Sequence, residues 1–470
     1  MAARIAHAKT VASHSCVLAP HLKHAFSVAA GEKYGRMFPD LAACDANEEE
    51  LIRLGRAGEV MDVASGPEAD ALETDNPRIP AGYTILGQFI AHDITADRSL
   101  LHHHTNLDEI RNVRTPCLDL ECLYGSGPTG TPYLYDTGDT DKFLLGVNDK
   151  GEPRDVPRNQ QGVALVGDPR NDVHQPISQL HLAFLMFHNA VVDHLRAEGV
   201  ADVSTFSETQ RLVRWHYQWI VLHEFLPLTA GDELVKDISE NGLRYYRWEQ
   251  RPFIPVEFAD AAYRFAHSQV RTTYRLNEHA SGQIFPECAG ACPVPSAHAL
   301  DWRYFFQLDP DQPPQPSKKI DTQLAHALID LPTTVVGSTE IPEHHSLAVR
   351  DLLRGHALDL PSGEAVAATM GVEPLPADEL GLRELGWQGE TPLWYYVLRE
   401  AQVRERGERL GPVGGRIVAE VLIGLIAADA NSYPAVEPDW HPTLPAQREG
   451  QFTMADLLRF STATPLQSTS

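Results

Sequence analysis

The segment TILGQFIAHDITADRS, residues 84 to 99, sets Gln88 and His92 four residues apart and follows the histidine with Asp93. On a helix, residues at that spacing project about 40° from one another, so the amide and the imidazole share a face. Buried on an otherwise apolar turn, both need partners, which a pocket would supply. Taken alone, however, the segment is accounted for better by a histidine satisfied by a backbone carbonyl. A second candidate is VALVGDPRNDVHQPISQLH, where a short strand-like run ends in Gly167, Asp168, Pro169 and Arg170 ahead of a long helix. An arginine at such a junction stays charged beside a ligand and can stabilise developing anionic character. Asp168 and Arg170 could equally just cap the turn and pair. The third is YRFAHSQVRTTYRLN, with Arg264 three residues before His267 on one helical face. A neutral imidazole is the commonest side-chain metal ligand, and it usually donates its other N–H to a group that fixes its tautomer. Asp351 is one carboxylate that could accept it.

The elements that must hold these residues are helical. In ISQLHLAFLMFHNAVVDHLRAEG, 177 to 199, Ile177, Leu180, Phe184, Phe187, Val191 and Leu195 recur at three and four, and Gly199 is the stop. SETQRLVRWHYQWIVLHEFLPL, 207 to 228, opens with a capping box from Ser207 to Gln210 and is ended by Pro227. The histidines of these two helices, His181, His188, His216 and His223, read as hydrogen-bonded core or surface residues. Further helices are expected over 345–358, 392–407 and 414–429, the last buried because it is apolar nearly all round. Strand-like runs such as GVALVGD are short and isolated, so the fold class is mainly α. LDPDQPPQPSKK, 308 to 319, reads as a surface loop, and HHHTN, 102 to 106, as a solvated one.

The chain of 470 residues has 64 acidic against 39 basic residues, a formal net charge of −25 that repels nucleic-acid phosphates and anionic membrane surfaces. With no apolar run of roughly 18 residues, membrane insertion is not expected. The N-terminal stretch lacks a continuous apolar core of signal-peptide type, which makes a cytoplasmic address the expectation. Six scattered cysteines are too few for a disulfide framework and read as free thiols, the CAGAC pair at Cys288 and Cys292 included. Oligomeric state is not legible.

The three chemical segments, in this order, resemble the animal-type haem peroxidases of the peroxidase/cyclooxygenase superfamily, in a short form like the bacterial ones. The resemblance runs from NPRIPAGYTILGQFIAHD to VAEVLIGLIAAD. It implies a mainly α fold with haem between a distal and a proximal helix, in a domain over 76–470, with residues 1–75 as an N-terminal extension packed on it. It implies His92 as distal histidine, Gln88 as its pocket partner, Arg170 as distal arginine and His267 as axial iron ligand. Asp351 then stands where an asparagine usually supports the proximal histidine, and Arg264 and Arg354 match arginines that pair with haem propionates. RTPCLDLECLYGSG, 114 to 127, resembles the family's calcium loop. By that match Thr115, the Cys117 carbonyl, Asp119, Glu121 and Asp93 form an all-oxygen site for Ca²⁺ that holds His92 in place. Serine or aspartate is commoner at the Glu121 position.

Two departures matter. The carboxylates that attach haem through esters in many members are replaced by Ala91 and Val173, and His174 stands where a methionine adds a further link in myeloperoxidase. Haem b held without covalent bonds is therefore expected. An Asp351 carboxylate behind His267 gives the imidazole anionic character and lowers the iron's potential, so halide oxidation is expected to be weak. The implied function is a peroxidase that uses hydrogen peroxide to oxidise small organic substrates, including a specialised biosynthetic oxidation. One alternative is a haem dioxygenase or peroxygenase acting on a lipid or secondary metabolite. It is disfavoured because Arg264 occupies the radical tyrosine's position and Tyr263 falls on a different face. A non-catalytic haem sensor or carrier is the other, and it would not need Gln88, His92 and Arg170.

Overall fold

The structure, a computed structural model, describes residues 32–65, 74–96, 110–337 and 341–463. Cys16 and the HHHTN stretch lie outside them. The helices that frame the candidate site are α1 (Glu48–Gly55), α2 (Ala81–Ile94), α3 (Gln175–Ala197), α4 (Asp202–Ile220), α5 (Leu347–Ala357), α6 (Leu393–Glu405), α7 (Pro412–Ala428) and α8 (Met454–Ala463). Strands are short, so the fold is mainly α. None of the described helices is long and apolar enough to cross a membrane.

The packing follows from how each helix distributes its apolar side chains. α2 is buried everywhere except at Gln88 and Ala91. α3 buries Ile177, Leu180, Phe184, Phe187, Val191 and Leu195 and lies between α2, α4 and α8. Phe89 of α2 stacks on Phe184 of α3 with ring centroids 4.6 Å apart, which locks the two helices in register. α7 is apolar nearly all round and is buried as expected.

Four sequence expectations need correction. α4 starts at Asp202, five residues before Ser207, whose hydroxyl bonds back to the Ser204 carbonyl within the helix and caps nothing. Pro227 does not end the helix: a π-helical turn over Val221–Phe225 precedes it, so the proline falls in the first turn of Leu226–Ala230, where its missing N–H is tolerated. Gly231, at φ 94°, is the real stop. In the proline-rich stretch, Pro316–Lys318 pairs antiparallel with Asp75–Pro80, with Pro80 opposite Pro316 at the end of the ladder, where prolines are allowed. GVALVGD, conversely, forms only an isolated bridge, Ala164 to Arg158, because no strand lies beside it.

The N-terminal part is woven into the rest. Glu32–Gly35 pairs with Arg111–Asn112 and with Ile254–Pro255. α1 crosses α5 so closely that a Cβ on Gly55 would sit 2.7 Å from the Val349 nitrogen.

Buried glutamates fasten the loops between helices. Glu257 accepts from the amides of Met37 and Phe38, Glu420 from those of Arg244, Tyr245 and Tyr246, and Glu400 from those of Val413 and Gly414 at the start of α7. Glu224, in the π turn, accepts from the Tyr83 hydroxyl at 2.5 Å and from Met454 N, tying α2 and α8 together. Burial pushes its carboxyl up to about 7, although both hydrogen bonds oppose the shift. A value raised above that of the unfolded chain, about 4.3, means that this contribution to stability is intact below pH 4.3 and is lost as pH rises toward 7. Glu224→Gln is therefore expected to gain stability relative to the native chain over that interval, by up to about 1.4 kcal/mol per pH unit. Denaturant unfolding of both proteins between pH 4 and 8 checks this; a difference that does not change with pH contradicts it.

Candidate active site

α2, the segment 168–175 and the segment 258–270 enclose a cavity of about 160 Å³ that opens to solvent. Thr84, Gln88, Ala91 and His92 form one stripe of α2 along its wall, at the spacing a helical face requires, and Thr95 follows at its C-terminal end. The partial exposure of Gln88 and Ala91 is exposure to this space. Phe258, Ala259, Ala266, Val270, Ile284 and Phe285 make the other wall largely apolar, with His267 and Arg264 among them.

Arg170 is fixed on the distal side by a short 3₁₀ turn, Pro169–Asp172, capped by Asp168, whose side chain accepts from Arg170 N. The Arg170 guanidinium bonds to Asp168 and also donates to the carbonyls of His92 and Thr95 at 3.1 and 2.5 Å, so it grips the last turn of α2. Asp168 thus caps the turn and pairs with Arg170, and Arg170 lines the cavity. Asp168 also receives Arg114 at 2.7 and 3.0 Å. Burial alone would raise the Asp168 carboxyl, but the two arginines and His92 overcome it and hold it well below the usual carboxylate range. Gly167 lies so near the Cys122 carbonyl that a Cβ there would be 2.4 Å away, which joins this turn to the 114–122 loop.

The distal polar groups have assigned orientations. His92 Nδ1 lies 2.8 Å from Asn171 Oδ1, an atom that only accepts. His174 caps α3, with Nδ1 accepting from Ile177 N at 3.3 Å, so its Nε2 is the donor toward Gln88 Oε1 at 2.7 Å. That leaves the Gln88 amide N–H groups as the donors available on this wall. Neither Ala91, on the wall, nor Val173, buried beside it, carries a carboxylate.

On the proximal side, Ala262–His267 is a 3₁₀ helix, in which residues three apart eclipse, so Arg264 and His267 stack as the sequence suggested. Asp351 of α5, 0% exposed, bridges them: Oδ2 accepts from His267 Nδ1 and Oδ1 from Arg264 Nη1, both at 2.6 Å. Burial would raise this carboxyl too, yet His267 and Arg264 bring it below its usual range. Asp260, which sequence reading overlooked, takes Arg264 Nη2 at 2.6 Å and Arg354 Nε at 3.5 Å. Its position four residues before Arg264 was the available signal. Arg354 is 2% exposed and stands behind Arg264, away from the cavity lining. Tyr263, expected on a different face, lines the cavity, and its buried hydroxyl has no hydrogen-bond partner.

The 114–122 loop reaches α2 through Asp93, whose carboxylate accepts from Leu120 N at 3.0 Å and Cys122 N at 3.4 Å. Burial, and then Asp119, push Asp93 up to about 8, and burial raises Asp119 as well. Thr115 Oγ1 lies 3.1 Å from Asp119 and 3.3 Å from Glu121. Glu121 leans toward Arg114 at 3.5 Å, and among the described residues no three histidine, cysteine or acidic side chains converge as a metal cluster. The five described cysteines, Cys44, Cys117, Cys122, Cys288 and Cys292, are free thiols.

The helical frame thus brings His92, His174 and His267, with Arg170 and Arg264, to one largely apolar cavity. Residues 96–293 match the family model for animal haem peroxidase. Heme peroxidase 2 of Caenorhabditis elegans is 30% identical over 121 residues, 24% of this chain and 17% of that one, and the chorion peroxidase of Aedes aegypti is 28% identical over 117 residues, 23% and 15%. The chain thus spans less than a fifth of the length of these relatives. Peroxidase A from Dictyostelium discoideum superposes with a TM-score of 0.62 at 15% identity, covering 87% of this chain and 89% of that one. The fatty acid alpha-dioxygenase of Oryza sativa gives 0.56 at 14%, covering 83% and 82%. Residues 96–293 are thus similar to the animal haem peroxidase family, and the solved structures share the chain's fold.

The matched family model implies haem, and the residues present fit it. His267 has Nδ1 committed to the Asp351 carboxylate, so Nε2 would keep the lone pair with which it could hold an iron, and the adjoining wall is largely apolar.

Proposed function

We propose that this chain is a haem-dependent peroxidase that uses hydrogen peroxide to oxidise small organic substrates. The observation that carries the reading is that His92 and His267 reach one cavity, each with Nδ1 against an acceptor oxygen, Asn171 Oδ1 and Asp351 Oδ2. Haem, when bound on His267, supplies the iron that takes oxidising equivalents from peroxide and passes them to a donor. His92 Nε2 accepts a proton from one peroxide oxygen and returns it to the leaving oxygen. Arg170, kept charged by Asp168, stabilises the negative charge that develops there. Gln88 offers N–H donors beside it.

In the same reading the cofactor is haem b without covalent links, since Ala91 and Val173 cannot form esters, and Arg264 would pair with a propionate, with Asp260 holding Arg264 and Arg354 together behind it. Ca²⁺ among Asp93, Asp119, Thr115, the Cys117 carbonyl and Glu121 would relieve the raised carboxyls of Asp93 and Asp119. Free thiols support a reducing, cytoplasmic address. A second reading, oxygenation of a lipid or secondary metabolite, is favoured by the Tyr263 phenol on the cavity wall.

Haem titration into the purified chain is expected to produce a Soret band that shifts on adding peroxide and returns with a phenol or indole donor. Acid extraction is expected to remove the haem from the polypeptide. A spectrum indifferent to peroxide overturns the peroxidase reading, fast chlorination overturns weak halide oxidation, and oxygen uptake with a lipid and no peroxide selects the second reading.

A further inference from the structure

The turn that carries Arg170 also carries Asn171, which is fully buried between two histidines. Its Oδ1 lies 2.8 Å from His92 Nδ1, and its Nδ2 lies 3.1 Å from Nδ1 of His181, itself 1% exposed. An amide oxygen only accepts and an amide nitrogen only donates, so this arrangement puts a proton on His92 Nδ1 and leaves His181 Nδ1 bare.

Each member of the chain is held from outside it. The His181 ring packs edge-on against Phe89, with centroids 6.2 Å apart, and Phe89 is stacked on Phe184. Burial pushes the His181 imidazole down to about 3, so it stays neutral and keeps an acceptor nitrogen. Asn171 alone could turn over about its Cβ–Cγ bond and offer its NH₂ to His92, which would move the His92 proton to Nε2. The bare Nδ1 of His181 opposes that rotation, because it gives the NH₂ group a partner on the far side.

We propose that Asn171 and His181 are positioning residues that fix the tautomer of His92, holding its proton on Nδ1 and its lone pair on Nε2. The catalytic consequence rests on the peroxidase reading, since only a bare Nε2 can take the first proton from peroxide. The tautomer itself is a property of the chain and can be measured without turnover.

The test is ¹⁵N NMR of the full chain labelled at histidine, with the His92 signals assigned by their loss in His92→Gln. A protonated Nδ1 and an unprotonated Nε2 are expected for His92. Asn171→Ala and His181→Phe are expected to mix the two tautomers and to slow the reaction with peroxide by about 10-fold or more, with KM for the organic donor unchanged. His181→Gln, which still offers an acceptor to Asn171 Nδ2, should restore both readouts. If Asn171→Ala does not fold, Asn171→Asp serves: it accepts from both rings, so His92 keeps its Nδ1 proton while His181 switches to the Nδ1-protonated form. A native His92 protonated on Nε2, or a His92 tautomer unmoved in Asn171→Ala and His181→Phe, overturns the proposal. A native chain with the expected tautomer and no reaction with peroxide leaves the tautomer assignment standing and removes the peroxidase reading instead.

Discussion

Replacing His92 with alanine is expected to slow the reaction of the haem-loaded chain with hydrogen peroxide by about 10²–10⁴-fold, the range that positioned proton transfer supplies. The size follows from what remains. Arg170 is still fixed by Asp168 and by the carbonyls of residues 92 and 95, which are backbone groups and survive the substitution. Charge stabilisation therefore persists while the proton acceptor is gone. His267 and Asp351 approach from another wall and are untouched, so haem affinity should be unchanged. Stopped-flow absorbance at several peroxide concentrations measures the second-order constant, and a haem titration supplies the control. A variant within about threefold of the native rate, below any recognised contribution of a general base, would remove His92 from the mechanism.

Asp351→Ala is expected to act on both stability and haem affinity. The native carboxylate is buried and neutralises Arg264 while accepting from His267. Removing one partner of a buried ion pair leaves an uncompensated charge at a cost of about 3–5 kcal/mol, softened here because Arg264 retains Asp260. His267 loses the acceptor that orients its ring, which for a metal ligand typically weakens binding by about 10–100-fold. Asp351→Asn separates the two effects: it still accepts from His267 Nδ1 but carries no charge, so haem affinity should largely return while the reduction potential rises. Guanidinium unfolding, haem titration and spectroelectrochemistry together make the test. An unchanged potential in Asp351→Asn would mean that the carboxylate tunes nothing and serves only as a structural bridge.

The two sides of the site differ in how far they could be read from the chain. Gln88 and His92, and Arg264 and His267, are neighbours because of helix geometry, and sequence spacing was enough to pair them. Asp351 as the acceptor for His267 was legible only through family resemblance, since 84 residues separate them. Asn171, 79 residues from His92, was passed over although it follows Arg170 directly, because an asparagine in a turn is usually a local cap. Tyr263 and Arg264 face different ways on the 3₁₀ turn, and that both line the cavity is decided by how the cavity wraps that turn.

By itself the sequence determined a mainly α chain, its apolar faces, and the residue types that can transfer protons or bind a metal, because these depend on side-chain chemistry and on contacts within a turn or two. The tertiary structure alone decided which nitrogen of His92 and of His267 meets an acceptor, that Asp260 lies between Arg264 and Arg354, and that Asp93 is pushed up to about 8. Those outcomes depend on which groups from distant parts of the chain are brought within hydrogen-bonding distance, and on how completely water is excluded from them. No local pattern of residues encodes either.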